Sequence, residues 1–161
     1  MPNLDTPIGR VVQRVAGSTG FARLAPPILT RLDRAVHKVT GGRVQLSRAL
    51  LPSLMLTTTG RRTGLPRVAP LATLPDGDDL IVVGSNFGRE HHPAWSSNLL
   101  AEPEATVSYR RETFPVTAHL LTDEEKDAVW PELTKMWPNY DRYSERAGRE
   151  IRVFRLSRSQ A

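Results

Sequence analysis

A chain of 161 residues with ordinary apolar content is long enough for one core, and too balanced for a fibrous or disordered class. It has no cysteine, which excludes disulfides, thiolate nucleophiles and cysteine metal sites and fits a reducing compartment. Its formal net charge of +5, carried nearly all by arginine, points to anionic partners: nucleic acid, a membrane surface or a polyanionic small molecule.

Thr6 before Pro7 reads as an N-cap and first helical position, with Ile8, Val11, Val12 and Val15 on one face and Gly17 as the stop. A second helix is expected from about Pro27, striped by Ile28, Leu29, Leu32, Val36 and Val39 and halted at Gly41 and Gly42. Both stripes suit packing against a sheet, and they are also the segments expected to touch a membrane surface if any does. No stretch reaches the roughly eighteen apolar residues of a membrane span, and the first residues lack signal-peptide order. A cytoplasmic protein is expected, with peripheral membrane association through these helices as the variant.

Extended runs follow. Leu54-Met55-Leu56-Thr57-Thr58-Thr59 enters a loop held between Gly60 and Gly64, and a second run leaves through Pro66, Arg67, Val68, Ala69, Pro70 and Leu71. Glycines able to take positive φ, free backbone amides and two consecutive arginines suit a phosphate or carboxylate. A solvated turn with charges kept for solubility explains the same residues. Pro66 and Pro70 cannot donate to a ladder, so this run must be an edge or irregular there. Pro75, Asp76, Gly77 and Asp78 mark a turn between strands at residues 67–74 and 80–85. Leu80, Ile81, Val82 and Val83 are apolar on both faces, hence a fully buried strand. A helix is expected over residues 93–100, and two alternating strands run over residues 105–110 and 113–120 with a tight turn at Arg111 and Glu112. Thr122 to Glu125 forms a capping box; Pro131 should kink or restart that helix, and Pro138 should break it. Residues 151–156 read as the last strand.

The expected class is α+β: about six mainly antiparallel strands in a small closed or split β-barrel, with N-terminal and peripheral helices. One domain spans residues 1–161, with 1–45 helical and 46–157 the barrel core.

No metal site stands out. His91 and His92 point different ways as solvent-exposed loop residues, and His119 sits on a polar strand face without an implied partner. What remains is a pattern of strand ends. Gly84-Ser85-Asn86-Phe87-Gly88 would let a flat ring approach the backbone, and Trp95 and Asn98 open a helix whose N-terminus favours anions. Trp137, Tyr140 and Tyr143 recur every third residue around Pro138 as an aromatic wall, for which core packing is the equal alternative. Together these describe a pocket for a flat heterocycle with an anionic tail.

Four ordered motifs carry a resemblance: Leu56-Thr-Thr-Thr-Gly-Arg-Arg-Thr-Gly-Leu-Pro-Arg-Val-Ala-Pro, Gly84-Ser-Asn-Phe-Gly, Pro93-Ala-Trp-Ser-Ser-Asn-Leu and Trp137-Pro-Asn-Tyr-Asp-Arg-Tyr. From about residue 51 to 156 the chain resembles the deazaflavin-dependent nitroreductases, flavin-reductase-like split β-barrel oxidoreductases that use reduced coenzyme F420. The resemblance implies that Arg61, Arg62 and Thr63 hold the phosphate and oligoglutamate tail. It implies that Arg67, Val68, Ala69, Pro70, Leu71 and Ala72 line the deazaflavin, with Val83, Gly84, Ser85 and Asn86 on the opposite strand end. Ala94, Trp95, Ser96, Ser97 and Asn98 complete the cofactor site at the helix start, and Tyr140 closes it. Ser85, Tyr140, Tyr143 and Trp137 then face the acceptor beside the hydride-donating carbon; the cofactor carries the difficult chemistry, and no strong acid or base is required.

Departures are visible. Ala69 stands where some members have asparagine, Trp137 where the nitroimidazole-reducing members have tyrosine, and Asn86 where others have a basic residue. The expected function is F420H2-dependent hydride transfer to an activated C=C, a quinone or a similar flat small-molecule electrophile. An FMN-dependent reductase on the same barrel is the rival enzyme, and a non-catalytic anion or nucleic-acid binding module the rival class. No nucleic-acid partner is expected, because the aromatics are not interleaved with basic residues; monomer and dimer stay open.

Overall fold

The structure, a computed structural model, describes residues 51–159. The helices expected near Thr6 and Pro27 lie outside the described residues, as does the whole 1–45 segment. Six strands close into one antiparallel barrel: β1 Ser53–Thr59, β2 Pro66–Asp76, β3 Asp79–Val83, β4 Glu104–Tyr109, β5 Glu112–Leu120 and β6 Val153–Arg158. Their order around the barrel is β1-β2-β3-β6-β5-β4, with β4 returning to β1. Three helices accompany them: α1 Ala94–Ala101, α2 Asp123–Met136 and α3 Asn139–Ala147.

The buried strand organises two cores. Leu80 and Val82 point into the barrel with Leu54, Leu56, Phe154 and Leu156. Ile81 and Val83 point outward into a second cluster with Leu133, Trp137, Tyr140 and Tyr143 from α2 and α3. Period-two alternation thus gives β3 apolar neighbours on both faces. Each such side chain contributes about 1.5–3 kcal/mol on burial, so a charge at Val82 would open the barrel core.

The split lies where the prolines put it. β2 pairs with β1 along its whole first half, Thr59 opposite Pro66 and Ser53 opposite Ala72. It meets β3 only from Thr73, opposite Val82. Among the described residues, 66–72 therefore have one free edge, while β3 turns away from them: the Gly84 amide continues the ladder toward Arg152, donating to its carbonyl at 2.7 Å.

Several local expectations shift. The β4–β5 turn is at Arg110 and Arg111, one residue earlier than the sequence suggests. Both have positive φ, 48° and 73°, without the glycine or asparagine that normally marks such a turn. Pro131 does not restart α2, which runs as one helix to Met136 with the proline inside it. Pro131 and Asp127 are both exposed, so the Asp127 carbonyl that loses its helical donor meets water at small cost. The capping box forms as expected, Glu125 N–H donating to the Thr122 hydroxyl while the Glu125 carboxylate accepts from the Thr122 amide. His119 does have a partner: Nε2 lies 3.0 Å from Glu125 Oε2, because α2 starts directly beside the end of β5. Pro138 ends α2 and begins α3, and the Trp130 indole N–H donates to Asp141 at 2.8 Å to fix the angle between them.

Candidate active site

The β1–β2 loop is built by glycine. The Gly60 amide donates to the Leu65 carbonyl at 2.8 Å, and the Gly60 carbonyl accepts from Thr63 and Gly64 at 3.0 and 2.7 Å. A Cβ on Gly60 would lie 2.8 Å from Thr63 Oγ1 and 3.0 Å from the Leu65 carbonyl, and Gly64 has φ +67°. Thr63 Oγ1 accepts from the Leu65 amide and from the Arg67 guanidinium, each at 3.3 Å. Its hydroxyl thus holds the loop together. Arg61, Arg62 and Arg67 are exposed, and no carboxylate among the described residues comes within ion-pair distance of them.

Asn98 anchors this loop to α1. Its carbonyl accepts from the Arg61 amide at 3.2 Å, and its amide donates to Thr58 Oγ1 at 3.0 Å. The rest of α1 divides its labour. Trp95 fills the barrel end, edge-to-face with Phe154 at 5.8 Å between centroids. Ser96 is fully buried and donates to the Pro93 carbonyl at 2.9 Å. Ser97 accepts from Arg152 at 3.3 Å, and Ala94 is exposed at the helix start.

Across the split, Val68, Ala69, Pro70, Leu71 and Ala72 are half-buried along the free edge of β2. Val83 belongs to the outer cluster. Gly84 is small for packing: a Cβ there would stand 3.1 Å from the Arg152 carbonyl and 3.6 Å from Ser96 Cβ. Ser85 is 9% exposed, and Asn86 turns its amide to the His91 carbonyl at 3.0 Å. Free backbone edge on one side, small residues on the other and unpaired guanidiniums at the hairpin fit a flat heterocycle with an anionic tail.

The aromatic residues sit deeper than a wall exposed to substrate. Trp137, Tyr140 and Tyr143 are 8%, 5% and 2% exposed. Tyr140 meets Tyr143 edge-on at 6.4 Å and Trp130 at 6.3 Å. Burial pushes the Tyr140 hydroxyl far above its ordinary range, reinforced by Tyr143. Burial also raises Tyr143, against a hydrogen bond from Trp137 and the nearby Arg146, which lower it. Phe87, from the loop after β3, joins them at 6.0 Å from Tyr143.

Sequence reasoning missed the arginines behind this loop. Arg149 and Arg152 reach it from the α3–β6 connection, and His92, expected in solvent, is half-buried and accepts from Arg149 at 3.1 Å. Burial, Arg149 and Arg152 all hold the His92 imidazole below its ordinary value, with Glu150 opposing. Gly148 after α3 was the available signal: a left-handed C-cap turns the chain back toward the strand ends.

Comparison with known proteins agrees with this geometry. The profile of the F420H(2)-dependent quinone reductase family matches residues 29–157. An F420H(2)-dependent quinone reductase of Mycobacterium tuberculosis is 34% identical over 134 residues, covering 81% of this chain and 90% of the relative. A solved F420-H2 dependent reductase superposes with a TM-score of 0.61 at 31% identity, over 66% of this chain and 94% of that one. A structure described as a domain-swapped dimer gives 0.64 at 29% identity, over 79% and 94%. The chain therefore belongs to the F420H(2)-dependent quinone reductase family, oxidoreductases whose cofactor is reduced coenzyme F420.

Proposed function

We propose that the protein reduces a quinone or a similar flat, conjugated small molecule in the groove between the free edge of β2 and the end of β3. The observation that carries this reading is the split itself: among the described residues, 66–72 pair on one side only, and β3 is followed by Gly84 and Ser85. Reduced F420, when bound, supplies the hydride. The chain's own residues bind, orient and exclude water. Arg61 and Arg62 take the anionic tail by charge-assisted hydrogen bonds. Val68, Ala69, Pro70, Leu71 and Ala72 give the flat ring an apolar floor.

Ser85 offers the acceptor oxygen a hydroxyl at the edge of the outer cluster, and Tyr140 closes that side. The Trp137 indole N–H is committed to Tyr143, so Trp137 contributes apolar area and shape to the acceptor side. Flat quinones and conjugated lactones then suit the pocket better than small nitroimidazoles. The named relative in Mycobacterium tuberculosis is a quinone reductase, which supports the substrate class. No helix among the described residues is long and apolar enough to cross a membrane, and the reaction is assigned to the cytoplasmic side.

The test is titration with F420 and with FMN, followed by turnover of menadione and a bicyclic nitroimidazole. Replacing Arg61 and Arg62 by alanine removes bonds worth about 1.5–3 kcal/mol each. F420 affinity should fall on the order of a hundredfold, since about 1.4 kcal/mol is tenfold, with the fold unchanged. An unaltered dissociation constant would return the loop to a solvated turn.

A further inference from the structure

The loop after β3 adopts a backbone that side chains resist. Asn86, Phe87 and Gly88 have φ of 46°, 56° and 73°, three consecutive left-handed residues of which two carry a Cβ. Its internal bonds include Gly88 N–H to the Ser85 carbonyl at 2.9 Å, Arg89 N–H to the Asn86 carbonyl at 3.2 Å, and the Asn86 side chain to the His91 carbonyl. The Arg146 guanidinium adds one external bond, donated to the Phe87 carbonyl.

Arg149 holds the loop from outside with several bonds. Its Nη2 faces the carbonyls of Gly84, Ser85 and His91 at 3.3, 3.2 and 3.2 Å. Nε donates to the Arg89 carbonyl at 3.1 Å, and Nη1 to the Glu150 backbone carbonyl and to His92 Nδ1 at 3.0 and 3.1 Å. One side chain therefore grips both ends of the loop. The adjacent carboxylate, Glu150, pairs instead with Lys126 at 3.0 Å, leaving the guanidinium's N–H groups to the carbonyls and the imidazole.

We propose that Arg149 is a positioning residue for hydride transfer, clamping the left-handed loop so that Ser85 is held against the acceptor, and that His92 makes the clamp sensitive to acid. The proposal rests on the reading that Ser85 lines the acceptor site. Guanidinium only donates, so His92 Nδ1 must be the unprotonated, accepting nitrogen. Arg149 and Arg152 face that imidazole as cations, with Glu150 as the opposing charge and His91 and Glu90 beside it in the chain. A proton on Nδ1 removes the acceptor and sets a third cation beside two others. The clamp then loosens.

The experiment uses the full chain in two arms. In the first, backbone amide exchange of residues 86–92 is followed by mass spectrometry from about pH 8 to about pH 5, the span over which histidine switches. Arg149→Lys, a single ammonium in place of the fork, should exchange faster there at every pH while the rest of the barrel keeps its protection. Wild type should lose loop protection only toward acid, and His92→Asn, which keeps an acceptor that does not titrate, should not. Unchanged loop exchange in Arg149→Lys would overturn the clamp.

In the second arm, menadione turnover with F420H2 is measured. For Arg149→Lys, kcat should fall at least about tenfold, within the hundredfold that a displacement of about 1 Å can cost. F420 affinity and KM for menadione should change little. Faster exchange with unchanged kcat, or a loss explained by weaker F420 binding, would overturn the positioning role. Absence of menadione turnover in wild type would instead overturn the acceptor reading, and the positioning role with it, leaving the clamp to be decided by the exchange arm.

Discussion

Asn98 spends both polar atoms of its amide on the hairpin it faces, and it does so buried, at 4% exposure. Removing it takes the acceptor from the Arg61 amide and leaves the Thr58 hydroxyl only its bond to the Arg67 carbonyl at 3.5 Å, and an unsatisfied buried group costs about 1–3 kcal/mol. Asn98→Ala should therefore lower unfolding free energy in urea by about that amount. It should weaken F420 binding less than removal of both loop arginines, because the guanidiniums remain. Equal loss from the two variants, measured by calorimetric titration, would mean that loop geometry rather than charge sets affinity. Trp137 presents the same economy in the aromatic cluster. Its N–H serves a Tyr143 hydroxyl that is itself almost fully enclosed. Trp137→Phe should destabilise by about 1–3 kcal/mol through that stranded hydroxyl alone, and Trp137→Phe combined with Tyr143→Phe should recover part of the loss. A double variant as unstable as the sum of its parts would argue against the bond.

At the scale of elements, α3 and the loop after β3 meet at a distance only glycine allows. A Cβ on Gly88 would lie 3.0 Å from Tyr143 Cα and 3.1 Å from its carbonyl, at a φ of +73°. Gly88→Ala must push helix and loop apart as well as strain the backbone, a combination expected to cost several times the roughly 1 kcal/mol of an ordinary glycine-to-alanine difference. Urea unfolding measures it, and a loss under about 1 kcal/mol would mean that the contact yields freely. These pairings also show which parts of the fold a sequence displays. β3 was readable because four consecutive apolar residues cannot alternate, and the free edge of β2 because Pro66 and Pro70 lack the N–H a ladder needs. The capping box of α2 follows from local spacing. The β4–β5 turn was readable but not its exact place, since its positive φ values fall on Arg110 and Arg111, which carry no turn signature. Pro131 restarts nothing, because its cost depends on whether the Asp127 carbonyl faces water, which only packing decides. Arg149 was invisible for a related reason: its targets are backbone carbonyls of residues 58 to 65 positions away, and no residue type marks a carbonyl. The loop arginines stood out because glycine and arginine announce a loop, while the other candidate cofactor residues came from the resemblance; those behind them act through backbone.

For the whole molecule, the two cores share β3, so whatever loosens one is transmitted to the other, and titration offers a way to see this. The His92 imidazole is held below its ordinary value of 6.5 in the fold, chiefly by burial and then by Arg149 and Arg152. Unfolded chains then bind the extra proton first, so this contribution is complete above pH 6.5 and is lost as pH falls through the lowered value. Glu125, held below 4.5 mainly by its bond from the Thr122 amide, adds a second loss of the same sign at lower pH. Tyr140 and Tyr143 work in the opposite direction. Burial raises both above the ordinary 10.0, so the unfolded chain ionises first. Their contribution is complete below pH 10.0 and lost as pH rises toward the raised values. The urea midpoint should thus be flat between the two ordinary values, 6.5 and 10.0, and fall on both sides. Tyr140→Phe removes a titrating group without removing the ring, and it should flatten the alkaline fall while leaving the acid side unchanged. His92→Asn should do the converse down to the range where the Glu125 carboxylate titrates. If Tyr140→Phe and Tyr143→Phe both left the alkaline fall as steep as in wild type, the tyrosines of the outer cluster would not set it, and the loss would have to come from another raised group such as Lys126, which, against burial, its bonds to Asp123 and Glu150 hold above 10.5.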